Sequence, residues 1–425
     1  MQPDHVTPYD RFAWSDRDVE LLLASGERRA ELEAYFGESE YRVLVRLARA
    51  AQRADHSKGP RTLIIPGIMG SQLGRLRAPP LPPDVLWLDP VDIGAGRLTA
   101  LATTAGEAIR SLGVVLHSYL RLKLQLRAAG VDAVLHDYDW RLGIDVLGPQ
   151  LAARLHAESA PRLAIVAHSM GGLVCRAALA LPAGRRVERV VLVASPNQGS
   201  FAAVQALRGT YAVVRKVASL DQQHSAESLA AEVFSSFPSL YHLLPARSGR
   251  LTLTDPAAWP GTPVRPRTDL LQAAHAANAQ LAPADERFSA VVGVGEETVT
   301  AVARRAEQFI YSYSRRGDGT VPLMSAELPG AAHYYAPVAH SELARDERVG
   351  RAIADLITHG STRRLPRRWA SRSRALALIG DSALRRTHCD KVDWAALSVG
   401  ERREFLQNLN EPPRLKLKVP RGRGA

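Results

Sequence analysis

The run Leu163-Ala164-Ile165-Val166-Ala167-His168-Ser169-Met170-Gly171-Gly172 sets a serine where an apolar, strand-like segment passes into a helical pattern beginning at Leu173. Small residues flank Ser169 on both sides, as a turn too tight for side-chain bulk requires, and such a turn lifts the hydroxyl out at the N-terminus of the following helix. The pattern is G-x-S-x-G with Ala167 in the first glycine position, a change that alanine's size tolerates. An ordinary strand-to-helix turn is the other reading of the same residues. A serine hydroxyl attacks a carbonyl only when a base removes its proton, and that base needs a carboxylate to hold its tautomer. Ser169 is therefore a candidate nucleophile for acyl transfer, and the rest of the chain must supply the other two groups.

Where a nucleophile sits on such a turn in an α/β-hydrolase fold, its partners follow in the order serine, acid, histidine. Of thirteen histidines, His340 is best placed, at the end of a late strand and the start of the last helix. His333, at the other end of that strand, and His359, after the helix, read as structural. His168 adjoins the nucleophile but points elsewhere, and suits packing or hydrogen bonding. Asp318 lies between the serine and His340, with Gly317 and Gly319 freeing the backbone to present its carboxylate. A Gly-Asp-Gly hairpin turn is the alternative for that tripeptide, and Asp285 and Asp346 are weaker rivals for the acid. Attack on an ester also needs donors for the oxyanion. The backbone N–H groups of Met69, in Pro66-Gly67-Ile68-Met69-Gly70-Ser71, and of Met170, directly after the nucleophile, are assigned to this hole. A phosphate-binding loop is the competing reading of the glycines, but the Gly-Lys-Ser/Thr ending is missing.

These groups need a sheet to carry them. Short branched apolar runs at 63–65, 133–135, 163–166, 190–193, 290–294 and 334–338 alternate with helical patterns at 120–129, 172–180 and 341–357. That rhythm predicts a mostly parallel central sheet flanked by helices, an α/β-hydrolase fold over residues 59–360. Residues 1–58 read as a helical lead-in, with a capping box offered at Ser15-Asp16-Arg17-Asp18. Two stretches break the rhythm: the proline-rich 78–95, and an insertion at about 200–285 that mixes amphipathic helix with loop. The insertion reads as a lid over the active site, or else as plain surface structure.

A hydrophobic share of 46% and a charged share of 23% are ordinary for a packed globular enzyme and exclude a disordered, collagenous or coiled-coil chain. Two cysteines, Cys175 and Cys389, match no metal-ligand or redox spacing, so no disulfide framework, metal or cofactor is expected. Without a long apolar run or a signal-peptide pattern at the start, a soluble, cytoplasmic chain is expected. The net charge of +12 is concentrated at one end: residues 361–425 hold 16 Lys and Arg against 6 Asp and Glu, leaving the remainder nearly neutral. Arg363, Arg364, Arg367, Arg368, Trp369, Arg372 and Arg374 suggest a basic tail in peripheral contact with an anionic membrane. Nucleic acid would meet the same charges, but no recognition fold is visible and none is expected to bind; a merely solvated tail fits equally well.

Four motifs in order, Ile64-Ile65-Pro66-Gly67-Ile68-Met69-Gly70-Ser71-Gln72-Leu73, Tyr138-Asp139-Trp140-Arg141, Ala167-His168-Ser169-Met170-Gly171 and Gly317-Asp318-Gly319-Thr320-Val321-Pro322, resemble the lecithin:cholesterol acyltransferase family, which includes phospholipid:diacylglycerol acyltransferases and related phospholipases. The first two motifs carry the specificity of the match, which spans roughly residues 62–359. The resemblance implies the triad Ser169, Asp318 and His340, with Met69 as an oxyanion donor. It implies acyl transfer from a lipid ester, a phospholipid or acylglycerol, through an acyl-enzyme. Asp139 and Arg141 read as a structural ion pair near the elbow, and Ser195-Pro196-Asn197-Gln198-Gly199-Ser200 as the rim of the acyl pocket or a plain turn. Secreted relatives carry disulfides, one in the lid; the absence of cysteine there speaks against an extracellular location and that mode of lid control. If water resolves the acyl-enzyme the chain is a lipase or phospholipase; if an alcohol does, it is an O-acyltransferase. An inactive hydrolase fold serving as a lipid-binding module is a third reading, against which the intact triad stands.

Overall fold

The computed structural model describes residues 6–409, apart from 58, 371–375 and 389. The six branched apolar runs form one sheet: β1 (Arg61–Ile65), β2 (Asp132–Leu135), β3 (Leu163–His168), β4 (Val187–Val193), β5 (Phe288–Gly293) and β6 (Ala332–Ala336), ordered β2-β1-β3-β4-β5-β6. Every pairing is parallel, so each strand is apolar on both faces and needs a helix on each. The helices are α1 (Leu116–Ala128), α2 (Ile144–Ala157), α3 (Met170–Leu179) and α4 (Glu347–His359). Ile64, Val166, Val191 and Val291 meet Leu122, Leu126, Ile353 and Ile357 of α1 and α4 on one face. Leu63, Ile165, Val190 and Leu192 meet Leu147, Leu151 and Leu173 of α2 and α3 on the other. This is an α/β-hydrolase fold. The strand order reverses between β1 and β3, and the crevice at the carboxyl ends of those two strands is where open α/β sheets bind their ligands.

Some expected boundaries shift. The helix after β6 starts at Glu347, capped by the Asp346 side chain accepting from the Val349 N–H at 2.8 Å, and not at 341; β6 ends at Ala336. His340 therefore belongs to a loop, free of the dihedral demands of either element. The proline-rich stretch contains a strand, Asp84–Trp87, which joins Ser71–Arg75 and Arg110–Val114 in a small antiparallel sheet. A second antiparallel sheet pairs Thr298–Arg305 with Gln308–Ser314. Its alternation of apolar and polar residues is present in the sequence, but a hairpin lies outside the β-then-helix rhythm of a parallel sheet.

The lead-in forms three helices, Asp16–Ser25, Arg29–Phe36 and Glu38–Arg53, whose Val19, Leu23, Leu32, Tyr41 and Leu44 pack on Leu116, Leu120 and Leu124 of α1. What was expected to be a basic tail is, over its described residues, a strap bound to the enzyme body. Leu365 is buried, Arg364 pairs with Asp355 at 2.9 Å and the Arg367 guanidinium lies 4.6 Å from the centre of the Tyr334 ring. Ala377–Gly380 adds a third strand to the hairpin, next to Gln308–Ser314. The Val392 N–H donates to the Ser219 carbonyl at 2.8 Å, and a helix at Val399–Gln407, with a full capping box from Ser398 and Glu401, reaches back to the lead-in. Arg372, Arg374 and residues 410–425 lie outside the described residues. Among those described, no helix is long and apolar enough to cross a membrane.

Asp381 anchors the strap. It pairs with Arg208 at 3.0 Å, and both side chains are fully buried. Tyr311 donates its hydroxyl to Asp381 at 2.8 Å and the Phe309 N–H donates at 3.2 Å, while Arg208 also donates to the carbonyls of Pro260, Thr262 and Val264. Four segments remote in sequence meet on this one charge pair. Removing one partner of a buried pair strands the other charge, at a typical cost of about 3–5 kcal/mol. Asp381→Ala is therefore expected to lower the unfolding free energy by that order in urea denaturation, whereas Asp255→Ala, which removes an exposed cap, should change it by about 1 kcal/mol or less.

Candidate active site

The register of β1 on β3 sets the site. Ile65 pairs with Ala167, so the loops leaving the two strands emerge side by side. Ser169 takes φ 53°, ψ −128°, a backbone conformation that costs a non-glycine residue about 1–3 kcal/mol and persists only where its surroundings enforce it. They do so here. The Ser169 N–H donates to the Val193 carbonyl at 2.8 Å, and its own carbonyl accepts from the Gly172 N–H at 2.9 Å. A Cβ at position 171 would stand 2.5 Å from the Pro66 carbonyl oxygen, and one at 67 only 2.7 Å from the Ser169 Cβ. Two glycines thus let the loop after β1 close on the elbow, while Ala167 is accommodated inside β3.

The loops after β5 and β6 bring the other two groups. His340 Nε2 lies 3.0 Å from Ser169 Oγ, and its Nδ1 lies 2.8 Å from Asp318 Oδ2. The Asp318 carboxylate is fully buried, and its Oδ1 accepts from the N–H groups of Thr320 (2.9 Å) and Val321 (2.7 Å). The Asp318 carbonyl accepts the His340 N–H at 2.9 Å, so backbone and side chain of the two residues hold each other. With Nδ1–H donated to the carboxylate, Nε2 is the lone pair facing the serine. The rivals are engaged elsewhere: Asp285 pairs with Arg287 at 2.7 Å, Asp346 caps α4, and His333 accepts from the Leu328 N–H.

Residues 67–70 line the small cavity above Ser169, of about 90 Å³. Met69 has φ 63°, a second strained non-glycine, and its carbonyl accepts from the Trp87 indole at 3.1 Å. Met170 is the first residue of α3, among the N–H groups that a helix leaves without intrahelical partners and whose dipole favours negative charge. Pro196 and Ser200 line the same cavity, as do Ala203, Ala206, Leu240 and Leu243 of the insertion.

Several residues that sequence reading assigned no chemistry prove to hold this arrangement. Tyr119 of α1 accepts from the Gly67 N–H at 2.9 Å and stands 2.8 Å from His168 Nδ1, while His168 Nε2 is 3.2 Å from the His340 carbonyl. Only one set of proton positions satisfies all three: Tyr119 donates to Nδ1, and His168 donates from Nε2. Burial, together with the neighbouring His340, pushes the His168 pKa down to about 3, so the ring stays neutral. A continuous hydrogen-bonded chain therefore joins the loop after β1 to His340. The Tyr-Asp-Trp-Arg motif braces the same loop: Tyr138 donates to the Pro66 carbonyl at 2.7 Å, Trp140 to the Ser71 carbonyl at 2.9 Å, and Asp139 and Arg141 form the expected ion pair at 2.6 Å. The apolar spacing of α1 marked Tyr119 as core; nothing local to it pointed to the site.

The family described as PGAP1-like alpha/beta domain matches residues 144–240. Among solved structures, this chain is similar to a Bacillus licheniformis lipase, BlEst2, in its mature form (15% identity, TM-score 0.36, 72% of this chain and 95% of that one) and in its propeptide form (15%, 0.38, 72% and 52%). A chain of the Tle4–Tli4 complex is also similar (14%, 0.41, 70% and 97%). No curated protein sequence matches.

Tyr119→Phe removes the acceptor of one buried N–H and the donor to His168, at about 1–3 kcal/mol of stability for each group left unpaired. Loosening the loop after β1 is expected to slow covalent labelling of Ser169 by about 10- to 100-fold, read by stopped-time probe labelling. A second imidazole, half-buried His117, is held down to about 4 by desolvation and by nearby Arg345. An unfolded histidine takes up its proton near pH 6.5, so between about 6.5 and 4 the unfolded chain binds protons that the folded site refuses. Stability should fall as pH drops through that window. A Tm series from pH 7 to pH 4.5 should decline, and less steeply in His117→Gln.

Proposed function

We propose that this chain is a serine-dependent lipid-ester enzyme that works through an acyl-enzyme on Ser169. The observation that carries the reading is the unbroken run of hydrogen bonds from Ser169 Oγ through His340 to Asp318, 3.0 and 2.8 Å long. As Oγ attacks the ester carbonyl, Nε2 of His340 takes its proton, and the buried Asp318 carboxylate stabilises the imidazolium. The N–H groups of Met69 and Met170 receive the oxyanion, each such donor being worth about 3–4 kcal/mol. The carbon–oxygen bond to the leaving alcohol then breaks, and that oxygen takes the proton from Nε2. A second hydroxyl, of water or of an acceptor alcohol, repeats the sequence in reverse to release the acyl group.

A lipid as donor is supported by the apolar lining above Ser169 and by the four motifs. Within lipid-ester chemistry, the finer reading is an O-acyltransferase of the lecithin:cholesterol acyltransferase type, since the oxyanion-loop and Tyr-Asp-Trp-Arg motifs are the most specific of the four; the coarser one is a lipase or phospholipase with water as acceptor. Incubation with a phospholipid, with and without a long-chain alcohol, followed by mass analysis, separates them: an acyl ester of the alcohol marks transfer, free fatty acid alone marks hydrolysis. A fluorophosphonate probe should label the wild type and not Ser169→Ala. Asp318→Asn should keep the fold and lower kcat by about 10⁴-fold. Failure of the probe to label the folded wild type would reduce the chain to a lipid-binding module.

A further inference from the structure

Beside the 90 Å³ space above Ser169, room for about three waters at roughly 30 Å³ each, lies a cavity of about 990 Å³. The smaller one cannot hold a long acyl group; the larger is at the upper end of the roughly 300–1,000 Å³ range of ligand pockets. His117 and Gln407 line both. The wall of the large cavity includes Gln72, which follows the loop after β1 in the chain, and Val115, whose N–H donates to the Gly70 carbonyl at 2.9 Å. The chamber therefore lies directly behind the loop on which the ester oxygen would rest. Its wall includes Tyr35 of the lead-in, Leu88, Leu220, and Trp394 and Leu406 of the strap.

We infer that this chamber takes the long acyl chain of the ester attacked at Ser169, admitted between His117 and Gln407, and that the C-terminal strap forms its roof. The inference rests on the acyl-enzyme reading and deepens it. Three observations favour an acyl chain over a polar occupant. The wall is mainly aliphatic and aromatic; His117, at the junction, is neutral at ordinary pH and presents no charge to a passing chain; and Val91 and Val399 expose apolar side chains at the mouth. The charges at the rim are Lys391, Arg402 and Arg403 with one carboxylate, Asp393. Lys391 donates to the carbonyls of Ala218, Asp221 and His224, and Arg402 to those of Trp394 and Ala395. Lys391 and Arg402 thus fasten the roof, their charges engaged by backbone carbonyls. Residues outside the expected lid would thus set the chain-length preference.

The test fills the chamber from its less buried side. Leu406→Trp and Ala34→Trp, singly and together in the full chain, are compared with wild type on p-nitrophenyl butyrate and p-nitrophenyl palmitate. The expected result is a fall of about tenfold or more in kcat/KM for palmitate, with butyrate hydrolysis and fluorophosphonate labelling within twofold of wild type. An unchanged palmitate-to-butyrate ratio in folded variants, whether both rates persist or both fall, overturns the inference while leaving Ser169 chemistry intact. A second measurement needs neither turnover nor cavity filling. In Ser169→Ala, 9,10-dibromostearate should quench a fluorescence component that disappears when Trp394→Phe is added. Equal quenching with and without Trp394 overturns the proposal even if the variants above fail to fold. Absence of labelling in wild type, by contrast, removes the acyl-enzyme reading and leaves the quenching result to stand alone.

Discussion

At the end of β3 the chain must turn within one residue, and Ser169 takes a conformation that its side chain disfavours. Its neighbours prevent relaxation: β4 accepts its N–H, α3 begins at the next residue, and the last carbonyls of β1 press against Gly171. The strain is of the order of 1–3 kcal/mol, small against the packing of a parallel sheet buried on both faces. It has two consequences. The hydroxyl is held away from the sheet toward the loops after β5 and β6, and the N-terminus of α3 is left aimed at the same point in space.

The rest of the site is built around that fixed hydroxyl by hydrogen bonds that couple one group to the next. Gly67, Tyr119, His168 and the His340 carbonyl form one chain; His340, Asp318 and the amides of Thr320 and Val321 form another. The two meet at His340. In a buried, low-dielectric setting such networks are rigid when every member is satisfied and costly when one is not. That coupling explains why two histidines of quite different role lie with ring centres 4.8 Å apart. One is kept neutral by burial and supports the backbone of the other, whose ring bridges Ser169 and Asp318.

Around this core the two ends of the chain do more than flank it. The lead-in helices and the strap meet each other through Gln407 and Phe36, and together they enclose the large cavity that the sheet and insertion leave open on one side. The basic composition after Gly360 thus has a structural use over its described part. Arg364, Arg367, Arg385, Lys391 and Arg402 are occupied with carboxylates, an aromatic ring or backbone carbonyls. Long cationic side chains suit that task, since a strap with little regular structure must tie off many unpaired carbonyls.

The strands of the sheet were legible because both faces of a parallel sheet are buried, which writes a continuous apolar run into the chain for each one. The elbow was legible because steric crowding at a tight turn admits only small residues around Ser169. Asp318 and His340 were found by order along the chain, a property of the fold, and the structure brings both to Ser169. What remained hidden depends on pairing between distant segments. Tyr119 carries no local mark because its role is defined by Gly67 and His168. Strand Ala377–Gly380 was unreadable because its partner, Gln308–Ser314, lies some seventy residues earlier. Charge counting took the end of the chain for a tail, since composition records how many arginines and lysines there are and not which carbonyls and carboxylates will face them. The amino-acid sequence by itself determined the local periodicities and the sterically restricted turn; the tertiary structure alone decided which buried polar groups would satisfy one another.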